Sequence, residues 1–251
     1  MKPSMSRRRY LTLLAAVYVV FWAALAIEPY YRADWLLENG LVFVGIAIVV
    51  GTYRVLPLSR VSYTAIFVFM CLHTVGAHYT YAEVPYDAVF RYLTGSTLSD
   101  LMGWQRNYFD RLVHFCYGLL LAYPIREVFL RVASVRGFWG YFLPLDLTMS
   151  TSMLYELLEW GAAVLFGGDL GPAFLGNQGD VWDAQKDMAL ASLGAAIAMG
   201  ITAAINGVYQ RDFAREWADS LRVRGRSPLG EESLWRMLRR TSRRKPKEDY
   251  R

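Results

Sequence analysis

Apolar residues run along the chain in six long windows, roughly 10–27, 35–53, 61–78, 108–130, 138–166 and 187–208. Each supplies about 17–25 residues, the length a helix needs to cross the hydrocarbon core of a bilayer. A helix satisfies its own backbone hydrogen bonds there, so the windows predict helices rather than strands. The pattern predicts an all-α, polytopic membrane bundle of six transmembrane helices over 1–208, followed by a basic tail over 209–251. The first window starts basic and contains Ala24-Leu25-Ala26, but its apolar stretch is long for a secretion signal and Glu28-Pro29 follows at once, so it reads as a retained span.

Composition and charge orient the bundle. The chain is 55% hydrophobic with 20% charged residues, and the charges segregate between the windows. With the N-terminus inside, inner segments hold Lys2, Arg7, Arg8, Arg9, Arg54, Arg60, Arg131 and Arg136, and thirteen of the 27 Lys/Arg follow residue 208. Outer loops hold only Arg32, Arg91, Arg106 and Lys186, while Arg111 and Arg126 fall inside a span. The positive-inside rule then gives an N-in/C-in topology with both ends in the cytoplasm. Topology accounts for the basic balance, so no nucleic-acid partner is implied. In the tail, Leu234, Trp235, Met237 and Leu238 lie among arginines. That segment either lies on anionic inner-leaflet lipid or is a solvated tail that enforces topology.

Polar residues inside the windows are the candidate chemistry. In the fifth, Thr148, Ser152, Glu156 and Glu159 fall within an arc of about 80° at helical spacing. Such a stripe belongs in the bundle interior or a wet cavity. Asp110 and His114 in the fourth are about 40° apart, with Arg111 adjacent. His73 and His78 close the third window. Asp180, Asp183 and Asp187 share a face if the last helix starts at Asp180, and Asn177 or Asp180 is placed to cap it. The following Ala191, Ser192, Gly194, Ala195 and Ala196 permit close helix packing.

All three histidines and at least six carboxylates thus fall in the outer half. The catalytic candidates are Glu156, Glu159, Asp110, His114, Asp183 and Asp187; the candidate metal ligands are His73, His78, His114 and Glu159. Histidine and carboxylate donors suit a divalent metal such as Zn, Mn or Fe. Carboxylates in this setting equally suit acid/base catalysis or proton-coupled transport. The plainer readings are helix-dipole partners for Asp180 and Asp183, an interface marker for Asp110-Arg111, and a headgroup-level His78. Asp146, in the inner half of the fifth window, is expected to pair with Arg126. Cys71 and Cys116 are expected as small core residues, not a disulfide. There is no Walker A loop, HExxH or Gly-x-Ser-x-Gly.

The blocks "HTVGAHYTYAEVP", "RNYFDRLVHFCYGLLLAYP", "YELLEWG" and "GDVWDAQKDM" resemble the YjdF-like family of bacterial inner-membrane proteins. The resemblance runs from the first span to the sixth and leaves out the tail. It implies a membrane topology and singles out these blocks without naming a reaction. A fainter resemblance is to VanZ-like membrane proteins, with their Asp-Lys/Arg-x-x-His-Phe block, acidic or Gln position and Asp-led helix of small residues. Here these match Asp110 to Phe115, Glu156 or Glu159, and Asp183 to Gly194; the usual Asn of the last helix is not evident. The VanZ-like proteins' association with glycopeptide tolerance implies an envelope role. Three functions stay open: an enzyme acting on a lipid or lipid-linked envelope substrate, a proton-coupled transporter, and a non-catalytic scaffold. Against transport, paired Gly/Pro-broken helices and internal repeats are not evident.

Overall fold

The computed structural model describes residues 5–166, 178–210, 212–223 and 235–239. The described residues are helical with no strand. The long helices are α1 (Arg7–Leu25), α2 (Arg32–Thr52), α3 (Arg60–His78), α6 (Phe109–Val132), α7 (Trp139–Phe166) and α8 (Asp183–Tyr209). Short helices α4 (Tyr86–Thr94) and α5 (Leu98–Met102) fill the loop before α6, and α9 (Phe213–Ser220) follows α8. Five helices, α1, α2, α3, α6 and α8, are long and apolar enough to cross a membrane. α7 is 28 residues long, but its acidic and hydroxyl residues dilute its apolarity.

The centre of the bundle is α6, which packs against α3, α7 and α8; α7 also packs on α8, and α1 and α2 on α3. The α6–α8 crossing is the tightest. A Cβ at Gly118 would strike the Ala191 carbonyl, and one at Gly194 the Phe115 carbonyl, so both positions require glycine for the backbones to touch. That contact registers the N-terminal halves of the two helices and brings Asp110, His114 and Asp187 to one end of the bundle. The same end gathers the C-terminal turns of α3, where Tyr81 and Phe69 pack with Val84, Phe109 and Val113.

The opposite end is closed differently. Ala122, Tyr141, Ala195, Ala198 and Met199 form a core against which Phe213 and Trp217 of α9 pack. Ser220 Oγ accepts from the Phe138 N–H at 2.9 Å, and its carbonyl accepts from Trp139 Nε1 at 2.9 Å. The packed body therefore continues past residue 208. Glu127 ties α6 to the start of α3, accepting from Ser59 N–H at 2.9 Å and Ser62 Oγ at 2.6 Å.

The expected Asp146–Arg126 pair does not form. Asp146 lies on an exposed face of α7, while the Arg126 guanidinium sits 4.5 Å from the Tyr141 ring centre. Helix phase explains this: Asp146 is about 200° around α7 from Thr148, which points into the bundle and is fully buried. Cys71 and Cys116 are free and half-buried. The last long helix starts at Asp183, not Asp180, and its first turn has no side-chain cap; Asn177 lies outside the described residues. Of the tail's apolar group, Trp235, Met237 and Leu238 are exposed, and Leu234 lies outside the described residues.

Candidate functional site

The polar stripe of α7 faces the bundle. Thr148 and Ser152 are buried and Glu156 half-buried, while Met149, Met153, Leu157 and Trp160 on the other faces are exposed. Glu156 meets α6 at His114, its Oε1 3.4 Å from His114 Nε2. The same Nε2 lies 3.6 Å from Asp110 Oδ1, one helical turn back. α8 contributes Asp187, which is 2% exposed. Asp110, His114 and Asp187 each present a ligand atom, and these atoms lie within 4.8 Å of one another. Glu156 Oε1 and Asp187 Oδ1 are both buried with no hydrogen-bond partner among the described residues. A buried carboxylate oxygen without a partner costs several kcal/mol, so the fold holds these groups at a loss unless something else binds them. One imidazole and several carboxylates form a hard, borderline donor set that fits Zn, Mn or Fe.

A charged rim covers the cluster. Asp183 accepts from Arg106 and, at 3.2 Å, from Arg111; Asp180 accepts from Arg111 and Lys186, each at 2.6 Å. Lys186 foremost, with the Trp182 N–H and Arg111, holds the Asp180 carboxyl well below the usual carboxylate range. The rings of Tyr108 and both arginines stack, with Arg111 4.5 Å from the ring centre. Asp183, expected among the catalytic carboxylates, is thus committed to two arginines, and Asp180 caps no helix but neutralises the rim.

On the α2–α3 side of the cluster lies a second polar group. Glu38 accepts from the Tyr155 hydroxyl at 3.0 Å. His73 Nε2 faces the Glu38 carbonyl at 3.3 Å, and its Nδ1 lies 2.5 Å from the Tyr81 hydroxyl. Burial, reinforced by Glu38, pushes the Tyr81 phenol well above its ordinary range. Tyr81 therefore stays protonated and donates to Nδ1, leaving the proton of His73 on Nε2. Glu159, half-buried, lies one helical turn beyond Tyr155 and Glu156 on α7.

The four expected metal ligands do not assemble as one set. His114 sits in the cluster, Glu159 beside it, and His73 is engaged by Tyr81 and Glu38. His78 is elsewhere: its Nδ1 lies 2.7 Å from the Leu25 carbonyl and its ring packs on Tyr79. The reason is helical phase, since His78 is about 140° around α3 from His73. The residues whose donor atoms stand close to those of His114 are Asp110 and Asp187. Glu38 and Tyr155 had not been singled out. The signal was present in "WLLENG", a carboxylate inside an apolar window, and in the tyrosine next to Glu156.

A cavity of about 250 Å³ lies between α2, α3, α6 and α7, with Asp110, His114, His73, Tyr81 and Tyr155 among its lining residues. Most of its wall is apolar, including Phe69, Met70 and Val113. The cluster and the cavity share Asp110 and His114.

Residues 10–207 match the sequence profile of the family described as Predicted membrane protein (DUF2238). The chain is also similar to Inner membrane protein YjdF of Escherichia coli (strain K12), with 38% identity over 170 residues, 67% of this chain and 77% of the relative. No solved structure matches.

Proposed function

Because the chain belongs to the DUF2238 family of predicted membrane proteins, we propose that it is a six-span, N-in/C-in enzyme using the Asp110–His114–Asp187 cluster on a lipid or lipid-linked envelope substrate. α7 counts as the sixth span because its acidic stripe faces the bundle and its other faces are apolar. Lys/Arg asymmetry puts the cluster near the extracytoplasmic face and the segment after 208 in the cytoplasm. The observation that carries the reading is the Asp110–His114–Asp187 donor group, in which the buried Asp187 Oδ1 has no hydrogen bond, with the buried Glu156 Oε1, also without one, 3.4 Å from His114 Nε2.

Asp110, His114 and Asp187 would hold a divalent ion such as Zn or Mn. Bound there, it supplies Lewis acidity to an adjacent oxygen. Glu156, beside the ligands with its Oε1 outside any hydrogen bond and 3.4 Å from His114 Nε2, takes a proton from a water or substrate hydroxyl and returns it to a leaving oxygen. The arginine–aspartate rim fixes the start of α8 and so the position of Asp187. The apolar cavity beside the cluster excludes bulk water and suits a hydrocarbon-bearing substrate.

Elemental analysis of the purified protein tests this. The account expects retained Zn, Mn or Fe, lost in Asp187→Asn and His114→Ala, and affinity reduced about 10–100-fold in Glu156→Gln. Folded protein that neither carries nor takes up a divalent ion would reject the metal enzyme. A second reading, proton-coupled transport, is favoured by the run of titratable groups from the cluster through Glu159 and Tyr155 to Glu38 and His73. It predicts pH-driven flux in vesicles by metal-free protein. Metal-free protein with no such flux leaves the scaffold role.

A further inference from the structure

The cavity has a side entrance. Leu41 of α2 and Leu154 and Leu158 of α7 line it, yet they are 47%, 53% and 51% exposed. Residues that form both the wall of a cavity and the outer surface mark its mouth. α2 packs along α3 and has no packed seam with α7; the Tyr155–Glu38 hydrogen bond bridges the two helices at the level of the mouth, with Leu154 and Leu158 on either side of Tyr155 along α7. Val44 and Ile48 on α2 and Met153 and Leu157 on α7 add exposed apolar surface to these two helices. In a bilayer that surface faces hydrocarbon, so the gap opens sideways into lipid.

We infer that the gap between α2 and α7 is a lateral portal through which the hydrocarbon chain of a membrane lipid enters the cavity. The inference rests on the proposed function and supplies its substrate class: a lipid whose reacting group stands next to an acyl or prenyl chain. Three observations support a chain as occupant. The interior beyond the mouth, Val42, Phe69, Met70 and Val113, is apolar, and a water-soluble ligand would find few partners there. The volume, about 250 Å³, falls below the roughly 300–1,000 Å³ of pockets that enclose a whole drug-sized ligand, so it takes a segment while the rest stays in the bilayer. The carboxylate and imidazole that reach the cavity, Asp110 and His114, belong to the cluster, while the Tyr117 and Thr151 hydroxyls that also line it bond each other at 2.6 Å. A chain lying in the cavity therefore carries the adjoining polar group of its lipid to the cluster.

The test uses the full chain in nanodiscs of phosphatidylethanolamine and phosphatidylglycerol doped with a phospholipid bearing a diazirine in its acyl chain. After photolysis, adducts are mapped by mass spectrometry. The portal predicts labelling of Val113 and Tyr117, inside the cavity, several-fold above Met199, which is buried in the α6–α8 core away from it. Leu154→Trp, which fills the mouth, should lower labelling of Val113 and Tyr117 several-fold and leave the exposed Val50 and Ile205 unchanged. Leu41→Trp blocks the other side and serves where Leu154→Trp does not fold. Val113 and Tyr117 labelled no more than Met199, or labelling indifferent to both tryptophans, overturns the portal. Metal content of the same preparation separates the two claims. Metal with no interior labelling rejects the portal and keeps the metal site; interior labelling without metal does the reverse.

Discussion

Glu38 shows what a single buried carboxylate contributes. It lies in the apolar wall between α2 and α7, and the Tyr155 hydroxyl donates to it at 3.0 Å. Removing it leaves that phenol without its acceptor, at a cost of about 1–3 kcal/mol. Glu38→Ala should lower the melting temperature in detergent, and Glu38→Gln, which keeps an acceptor, should lower it less; equal melting of all three proteins would dismiss the bond. Asp146 gives the opposite expectation. Pairing with Arg126 would make its loss cost about 3–5 kcal/mol, whereas an exposed, unpaired Asp146 predicts that Asp146→Asn stays within about 0.5 kcal/mol of the parent. Chemical denaturation distinguishes these values. At this scale the sequence was legible by type and illegible by partner. Glu156, His114 and Asp187 stand out because a charge in an apolar window demands compensation. Which carboxylate meets which histidine depends on helix rotation, and that is decided by tertiary packing. His78 and Asp146 differ from expectation for that reason alone.

Helix ends were legible because hydrocarbon permits little else. The windows at 61–78 and 108–130 correspond to α3 (Arg60–His78) and α6 (Phe109–Val132). The short helices α4, α5 and α9 were not foreseen, since five to nine residues between turns show too little period to read. Close packing was foreseen for the small residues of α8, and the structure uses two glycines for it, Gly194 and its counterpart Gly118 in α6. Gly194→Ala must push α6 and α8 apart, because its Cβ meets the rigid Phe115 carbonyl. Overpacking of this kind costs about 1–3 kcal/mol, and His114 and Asp187 lie on the two displaced helices. The variant is expected to lose thermal stability and metal affinity together. A Gly194→Ala protein that melts lower but binds metal as tightly as the parent would show that the cluster does not depend on this crossing.

For the whole molecule, one end of the bundle is built for chemistry and the other for closure. The carboxylates, histidines and cavity share the end where α6 and α8 begin; the opposite end is an aromatic plug of Tyr141, Phe213 and Trp217. The proposed N-in/C-in orientation puts the plugged end in the cytoplasm. Reporter fusions after residues 100 and 175 should read extracytoplasmic, and those after 55, 134 and 215 cytoplasmic; a cytoplasmic signal at 175 would overturn the six-span topology. Membrane class is legible in the sequence through hydropathy, but the α2–α7 gap is not, because it depends on two helices failing to pack. The most direct measurement is X-ray absorption at the edge of the metal retained by the full-length protein in nanodiscs. The account predicts a shell of nitrogen and oxygen only, at about 2.0–2.2 Å for zinc, with imidazole scattering that disappears in His114→Gln. A sulfur shell at about 2.3 Å would move the ion to Cys71 or Cys116, and imidazole scattering unchanged in His114→Gln would contradict the site as drawn.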